Sequence, residues 1–157
     1  MRASTLAIFL LTACASAVYR EPGNVATATL RIENQGPPLF GYELEAHTYE
    51  DAAACGGRLR VASAKVLPRG VAHTVRVAAG SDFTLTLRGT GGGPSRSDSC
   101  ALAGTFMPMA REHYAALFRA EERRCELLFL RQQTGAGGAR RYVREASHRP
   151  RTEPDCL

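Results

Sequence analysis

Four cysteines in the body of the chain are the residues whose chemistry the sequence defines best. They stand at Cys55, Cys100, Cys125 and Cys156. An even number of cysteines in an oxidising compartment predicts two disulfide bonds, and the spacing does not choose among the possible pairings. We take Cys55–Cys100 and Cys125–Cys156 as the working pairing, because each bond would tie a loop or a tail to a neighbouring strand. No two of them form a C-x-x-C pair, so the spacing supports neither thioredoxin-like chemistry nor a zinc ribbon.

The other polar residues lack the spacing that catalysis or metal binding needs. Glu45 and His47 share one face of a predicted strand, which we interpret as a solvated face. The histidines form no H-E-x-x-H, residues 89–94 lack the lysine of a phosphate loop, and no serine stands in G-x-S-x-G. We therefore expect no metal, no cofactor and no catalytic residue, and we expect the protein not to be an enzyme.

The N-terminal residues have the order of a secretory signal peptide. Arg2 gives a positive start, residues 6–11 are apolar, and small residues follow. This run is too short to span a bilayer, which takes about twenty apolar residues. The sequence Leu11-Thr12-Ala13-Cys14 at this place resembles the lipobox of bacterial lipoproteins. The resemblance implies cleavage before Cys14, a diacylglyceryl group on its sulfur and acylation of its new amino group.

Two other interpretations of the N-terminus stay open. Ala15-Ser16-Ala17 is an A-x-A site, and a cut before Val18 would release a soluble protein. The apolar run would otherwise be a strand of a cytosolic domain. A lipid on Cys14 would hold the protein in the membrane, because two lipid signals already anchor a protein stably. Aspartate after the lipidated cysteine tends to retain enteric lipoproteins in the inner membrane. Ala15 stands there instead, which implies the outer membrane, facing the periplasm.

Charge and composition argue against a nucleic-acid partner. The formal net charge is +5, but Lys65 is the only lysine, and abundant arginine, alanine and glycine indicate a GC-rich genome. Aromatic residues do not alternate with basic ones as a stacking platform requires. The densest charge cluster comprises Arg140, Arg141, Arg144, Arg149 and Arg151. We interpret it as a solvated tail, with attraction to anionic lipid head groups or sugars as the functional alternative.

Alternation of apolar and polar residues predicts about seven or eight short strands, separated by turn signals about every ten residues. The clearest predicted strands cover residues 26–33, 42–47, 58–61, 71–77, 83–88, 100–107 and 125–130. Residues 89–99 are predicted to be a mobile loop, and residues 110–124 fit either a strand or a helix. This pattern favours an antiparallel β-sandwich of immunoglobulin-like form, although the chain has no tryptophan.

Period-two patterning also predicts which side chains the sandwich buries. Leu30, Ile32, Leu85 and Leu87 should lie together in the core. The polar positions between them should face water, and these are Thr27, Arg31, Thr84 and Thr86.

The domain organisation follows from these patterns. We predict a cleaved signal peptide over residues 1–13, a lipidated tether over 14–25, a sandwich over 26–134 and an arginine-rich tail over 135–157, tied down by Cys156. The order Phe106-x-Pro108, Tyr114-x-x-x-Phe118 and Cys125 is similar to the last hairpin of small bacterial envelope lipoproteins.

The function predicted from this organisation is non-enzymatic binding or assembly in the bacterial envelope. The expected partners are the lipid bilayer, through Cys14, and an envelope protein or glycan. A periplasmic inhibitor or ligand-binding module that presents a loop is the alternative, and a hydrolase is the third.

Overall fold

The computed structural model describes residues 17–35, 43–61, 67–93, 96–121 and 124–157, which form ten strands in two five-stranded sheets. The strands are β1 (Thr27–Asn34), β2 (Glu43–Asp51), β3 (Gly56–Arg60), β4 (Ala72–Ala78), β5 (Phe83–Gly93), β6 (Arg96–Phe106), β7 (His113–Glu121), β8 (Arg124–Thr134), β9 (Arg140–Arg144) and β10 (Arg149–Arg151). Two short 3₁₀ turns, Ala136–Gly138 and Pro154–Cys156, follow β8 and β10. The prediction of an all-β, sandwich-like fold is confirmed.

In both sheets, some of the strands that follow one another in the sequence lie side by side. The first sheet has the order β4-β1-β7-β8-β9, and the second has the order β10-β6-β5-β2-β3. β1 runs parallel to β7, with Leu30 opposite Tyr114. All other pairings of these ten strands are antiparallel. The two sheets face each other, and apolar side chains from both meet between them.

The core forms where the inward faces of the two sheets pack together. Leu30 and Ile32 of the first sheet and Leu85 and Leu87 of the second are fully buried in one cluster, as the sequence predicts. Large aromatic side chains fill the space between them, and the rings of Phe106 and Phe129 lie 4.7 Å apart. Each such side chain contributes roughly 1.5–3 kcal/mol through burial.

The choice between strand and helix for residues 110–124 is decided by packing on two faces. β7 pairs with β1 on one side and with β8 on the other. Tyr114, Ala116 and Phe118 point into the core, whereas Ala115 and Leu117 are buried with Leu128 in a small cluster on the outer face. Both faces of this segment are apolar, and a central strand buries both of them. This burial outweighs the helix propensity of the segment.

The prediction of a mobile loop over residues 89–99 is wrong. β5 and β6 pair over the described part of this stretch, with Gly89 opposite Cys100 and Gly93 opposite Arg96, and residues 94 and 95 lie outside the described residues. Glycine has low strand propensity, but main-chain pairing with a neighbouring strand does not depend on side chains. Among the described residues, the pairing of β5 with β2 extends to Thr90, opposite Glu43.

The prediction that Thr84 and Thr86 face water is also wrong. Both are fully buried, although Arg31 on the first sheet is exposed as expected. Thr84 Oγ1 donates to the carbonyl of Ala52 over 2.7 Å, and Thr86 Oγ1 donates to the carbonyl of Cys156. The outer face of β5 is therefore covered by the β2–β3 turn and by the C-terminal segment. An alternating pattern cannot distinguish water from such a polar cover.

The four cysteines do form two disulfide bonds, but the working pairing is wrong. The bonds join Cys55 to Cys156 and Cys100 to Cys125. The first links the β2–β3 turn to the C-terminal segment on the outer face of the second sheet. The second joins β6 to β8 across the sandwich. The spacing of the cysteines does not predict either pairing, because both depend on packing between residues far apart in the sequence.

Residues 135–157, set apart as a tail in the sequence analysis, contribute a strand to each sheet. β9 pairs with β8 in the first sheet, and β10 pairs with β6 in the second. The chain thus crosses from one sheet to the other between residues 144 and 149. It ends on the second sheet, where Cys156 is 1% exposed.

Candidate functional site

The N-terminal segment, residues 17–21, is attached to the sandwich along the edge of the second sheet. The amide of Arg60 donates to the carbonyl of Ala17 over 2.9 Å, and the amide of Tyr19 donates to the carbonyl of Arg60 over 2.8 Å. Val18 and Arg60 form a parallel bridge. These bonds satisfy main-chain groups of β3 that would otherwise form an open sheet edge. The segment predicted as part of a tether is therefore docked on the domain.

Tyr19 carries this segment from the second sheet to the first. Its ring packs edge-on against Phe83, with the centroids 6.1 Å apart, and its hydroxyl donates to the carbonyl of Arg76 on β4 over 3.0 Å. Burial, with the nearby Glu21 carboxylate as the smaller cause, raises the pKa of Tyr19 to about 12. The phenol stays protonated at any physiological pH, so it remains a hydrogen-bond donor.

Glu21 fixes the segment to the same residue of β4. Its carboxylate accepts hydrogen bonds from the Arg76 amide and from Arg76 Nε, over 3.0 and 2.9 Å. These bonds lower the pKa of Glu21 below its usual value. The pair is solvent-exposed, so it fixes the path of the chain more than it stabilises the fold.

Beyond Glu21 the chain enters one end of the sandwich, which we call the entry end and define by residues 22–26, 79–82 and 107–112. Three main-chain hydrogen bonds of 2.8–2.9 Å tie these loops together. They run from Ala79 to Ala26, from Gly80 to Pro108 and from Arg111 to Thr27. The loops therefore form one connected surface at the end where the N-terminal segment arrives.

A groove of about 790 Å³ lies between the N-terminal segment and the entry end. Ala17, Val18 and Tyr19 form one wall, and Ser81 and Asp82 belong to the other. Asp82 is neutralised by Arg149, whose Nη2 lies 2.6 Å from its carboxylate. The groove is open, and its lining combines apolar side chains with the charged residues Arg20, Glu50 and Asp82. Its chemistry suits an apolar or main-chain contact.

Cys14, the predicted lipid-attachment residue, lies outside the described residues, as does the remainder of the predicted signal peptide. Only Ala15 and Ser16 separate it from Ala17, which is hydrogen-bonded to β3. Three residue steps of extended chain span at most about 11 Å. A lipid on Cys14 would therefore hold the docked segment within that distance of its attachment point.

His47 and Glu45 do not form the solvated face that the sequence suggests. His47 is 8% exposed, and Nη2 of Arg58 lies 3.4 Å from its Nδ1. Burial and, second, the charge of Arg58 lower the pKa of His47, so the ring is held neutral. Within the described ranges, no group of three histidine, cysteine or acidic residues has the geometry of a metal site.

A second histidine lies in the crossover between the two sheets. The His148 ring packs against Phe129, with centroids 4.9 Å apart, and burial lowers its pKa. Its Nε2 is buried and finds no hydrogen-bond partner in the described part of the chain. The neighbouring Glu145 accepts from the amide and hydroxyl of Ser147. The hydroxyl of Ser147 in turn accepts from the amide of Met107 and is not bonded to His148.

The C-terminal arginine cluster is split between the two sheets. Arg149 pairs with Asp82, and Arg151 pairs with Glu153 at 3.0 Å and donates to the carbonyl of Ala53. Arg144 on β9 lies 3.6 Å from Glu126. Arg140 and Arg141 are exposed at the start of β9. The sequence places these residues together, but the crossover between β9 and β10 separates them.

Sequence reasoning missed Tyr19 and Glu21 as structural contacts. The signal in the sequence was the aromatic residue Tyr19, because a linker that does not contact the domain has no need of one.

No helix in the described residues is long and apolar enough to cross a membrane. No protein-family model, curated protein or solved structure matches this chain.

Proposed function

We propose that this protein is a membrane-anchored lipoprotein of the bacterial envelope, held by lipid on Cys14, with a non-enzymatic role in binding or assembly. The observation that carries the proposal is the docking of Ala17. Its carbonyl accepts a hydrogen bond from the amide of Arg60, so Ala17 belongs to the folded domain. Cleavage before Val18 would remove this residue, whereas cleavage before Cys14 would keep it. The docked segment thus favours the lipobox over the A-x-A site.

The two disulfide bonds support the same location. They link strands and segments that are far apart in sequence, 101 residues for one bond and 25 for the other. Such bonds form and persist in oxidising compartments such as the periplasm. We place the protein at the outer membrane, facing the periplasm, because Ala15 follows Cys14.

Metabolic labelling with radioactive palmitate tests the anchor. Wild-type protein should carry label and sediment with membranes, whereas the full chain with Cys14→Ser should be unlabelled and released in soluble form. Label on the variant, or none on the wild type, would contradict the proposal. A pull-down with the native lipidated protein then addresses its envelope partner.

The sandwich is further proposed to be immunoglobulin-like. The parallel pairing of β1 with β7 beside antiparallel neighbours, and the packing of two sheets over one core, support this. An experimental structure with a different strand order in either sheet would remove the support.

A second candidate function is presentation of a loop to a periplasmic target. The observation that favours it is the β5–β6 hairpin, whose pairing extends to Gly93 and Arg96, past Thr90, the last position paired with β2 among the described residues. The extension lies at the end of the sandwich opposite to the entry end. Replacing residues 91–98 by a tight turn should abolish capture of the partner if the hairpin is the binding element. Unchanged capture would exclude it.

A further inference from the structure

The large apolar side chains that remain exposed are concentrated at the entry end and along its N-terminal segment. Val25 is 59% exposed, Met107 48%, Met109 55% and Val18 46%. Val71, 47% exposed, lies at the opposite end, where β4 begins beside the end of β1. Tyr142 on β9 is the other large apolar side chain exposed to this degree among the described residues. An uneven distribution of this kind marks a contact surface.

The loop that carries the two methionines is held rigidly. The amide of Met107 donates to Ser147 Oγ over 3.1 Å, and the amide of Met109 donates to the hydroxyl of Tyr114 over 2.9 Å. The carbonyl of Pro108 accepts from Gly80 in the adjacent turn. The methionine side chains are therefore about half exposed on a fixed backbone, and Met109 Sδ accepts from Nη1 of Arg131 over 3.5 Å.

The anchor reaches the domain at this same end. Ala17 and Ser81 line one groove, and Gly80, next to Ser81, is hydrogen-bonded to Pro108 between the two methionines. Cys14 is only three residue steps, at most about 11 Å, from Ala17. A bilayer that holds the lipid of Cys14 is consequently close to the entry end.

Charge at the entry end is compatible with an anionic membrane surface. The carboxylates of Glu21 and Asp82 are each paired with an arginine, and Glu112 is a further carboxylate at this end. Arg20 and Arg111 are exposed, and Arg111 has a φ of 66° in the turn before β7. Exposed arginine beside apolar side chains is a combination that interfacial membrane contacts use.

We propose that the entry end rests on the bilayer, with Val25, Met107 and Met109 in contact with the lipid head-group and acyl boundary and with Arg20 and Arg111 near the lipid phosphates. This inference rests on the proposed lipidation of Cys14. The sandwich would then stand end-on at the membrane, and the β5–β6 hairpin would point away from it.

Methionine oxidation measures this contact with residues that the protein already has. Met107 and Met109 are the methionines left after removal of the signal peptide, and exposed methionine is readily converted to the sulfoxide. Purified lipidated protein is bound to vesicles of phosphatidylethanolamine and phosphatidylglycerol, treated with peroxide and digested for mass spectrometry. The soluble mature chain, produced from position 14 with Cys14→Ser, gives the rates for the unbound state. Both the lipidated and the soluble forms also carry Val71→Met, which places a reporter methionine at the far end.

Contact with the bilayer should slow oxidation of Met107 and Met109 on vesicles by roughly tenfold relative to the soluble chain, with no change at position 71. Equal rates in the two forms, in protein whose lipid is verified by mass, would overturn the docking and leave the anchor intact. Equal protection at position 71 would also overturn it, because the shielding would not be specific to one end. Slow oxidation of both methionines relative to position 71 in the soluble chain would show that another protein surface covers them. This result would also overturn the docking.

A charged variant provides the matched perturbation. Met109→Glu places a carboxylate on a side chain that is already more than half exposed, so the fold should tolerate it. If the bilayer covers this end, Met107 in the lipidated variant should oxidise several-fold faster than in the wild type. An unchanged rate would contradict the proposal. Absence of lipid on Cys14 would show up separately in the intact mass, and it would remove the proposed function together with this inference.

Discussion

Substitution of Thr84 by valine tests whether the outer face of the second sheet is covered. Valine has nearly the same shape as threonine, so the change removes the hydroxyl and little packing. Thr84 Oγ1 lies 2.7 Å from the carbonyl oxygen of Ala52 and 2.6 Å from Thr105 Oγ1. A hydroxyl has one proton, so Thr84 donates to Ala52 and accepts from Thr105. Both partners are left without this bond in the variant.

The expected cost follows from these two hydrogen bonds. Each contributes about 0.5–1.5 kcal/mol net, so Thr84→Val should lower the free energy of unfolding by about 1–3 kcal/mol. Thr74→Val is the matched control, because Thr74 is an exposed strand residue on the outer face of the first sheet. Its effect should stay within about 0.5 kcal/mol.

The assay is urea unfolding of the oxidised mature chain, produced from position 14 with Cys14→Ser, which carries no lipid and keeps every described residue. Equal effects of the two substitutions would refute the assignment of Thr84 to a covered face. They would also refute the view that the β2–β3 turn lies on β5 at this position.

Four further changes test other parts of the fold. Leu85→Ala should cost about 2–5 kcal/mol in the same urea assay, since it opens a cavity in the core, and a cost near that of Thr74→Val would contradict this. Gly104→Ala should cost about 1–3 kcal/mol, because a Cβ there would lie 2.6 Å from His148 Nε2 and 2.9 Å from Phe129; a neutral effect would place the crossover elsewhere. Thiol counting on denatured, unreduced protein should find none of the four cysteines free. Loss of the Cys55–Cys156 bond should lower the free energy of unfolding by about 4.7 kcal/mol, and loss of Cys100–Cys125 by about 3.5 kcal/mol, because the first bond closes the longer loop. The reverse order would count against the loop-length account of these bonds. The pKa values of His47 and His148 are lowered in the folded protein, so the unfolded chain binds protons more readily. The free energy of unfolding should therefore be highest above about pH 6.5 and should decline as the pH falls through the folded pKa values. His47→Gln with His148→Gln should flatten this slope, and an unchanged slope would assign it to other groups.

The sequence predicted the core better than it predicted the surface of the sandwich. Leu30, Ile32, Leu85 and Leu87 were identified because the period of a strand is fixed and the interior accepts only apolar side chains. Thr84 and Thr86 were misassigned, because a polar residue facing a hydrogen-bonded cover has the same alternating pattern as one facing water. What covers them lies 32 and 70 residues away in the chain.

The disulfide pairing and the docked N-terminal segment depended on the same kind of information. Cys55 meets Cys156 only because the chain crosses between sheets after β9 and returns over β5. Tyr19 reaches Arg76 because β4 lies at the edge of the first sheet, next to β1. Local propensity describes neither relation. Lipid attachment at Cys14 stays a prediction, while the docked segment next to it was found only from the fold.

The N-terminal peptide of the mature protein is the most direct test of a lipid-anchored domain that begins at the membrane. The protein is isolated from membranes of its host, digested, and its N-terminal peptide identified by mass. The proposal predicts a peptide that starts at Cys14 and carries a diacylglyceryl group and an amide-linked acyl chain. A peptide that starts at Val18 without lipid, from protein found in the soluble fraction, would contradict it.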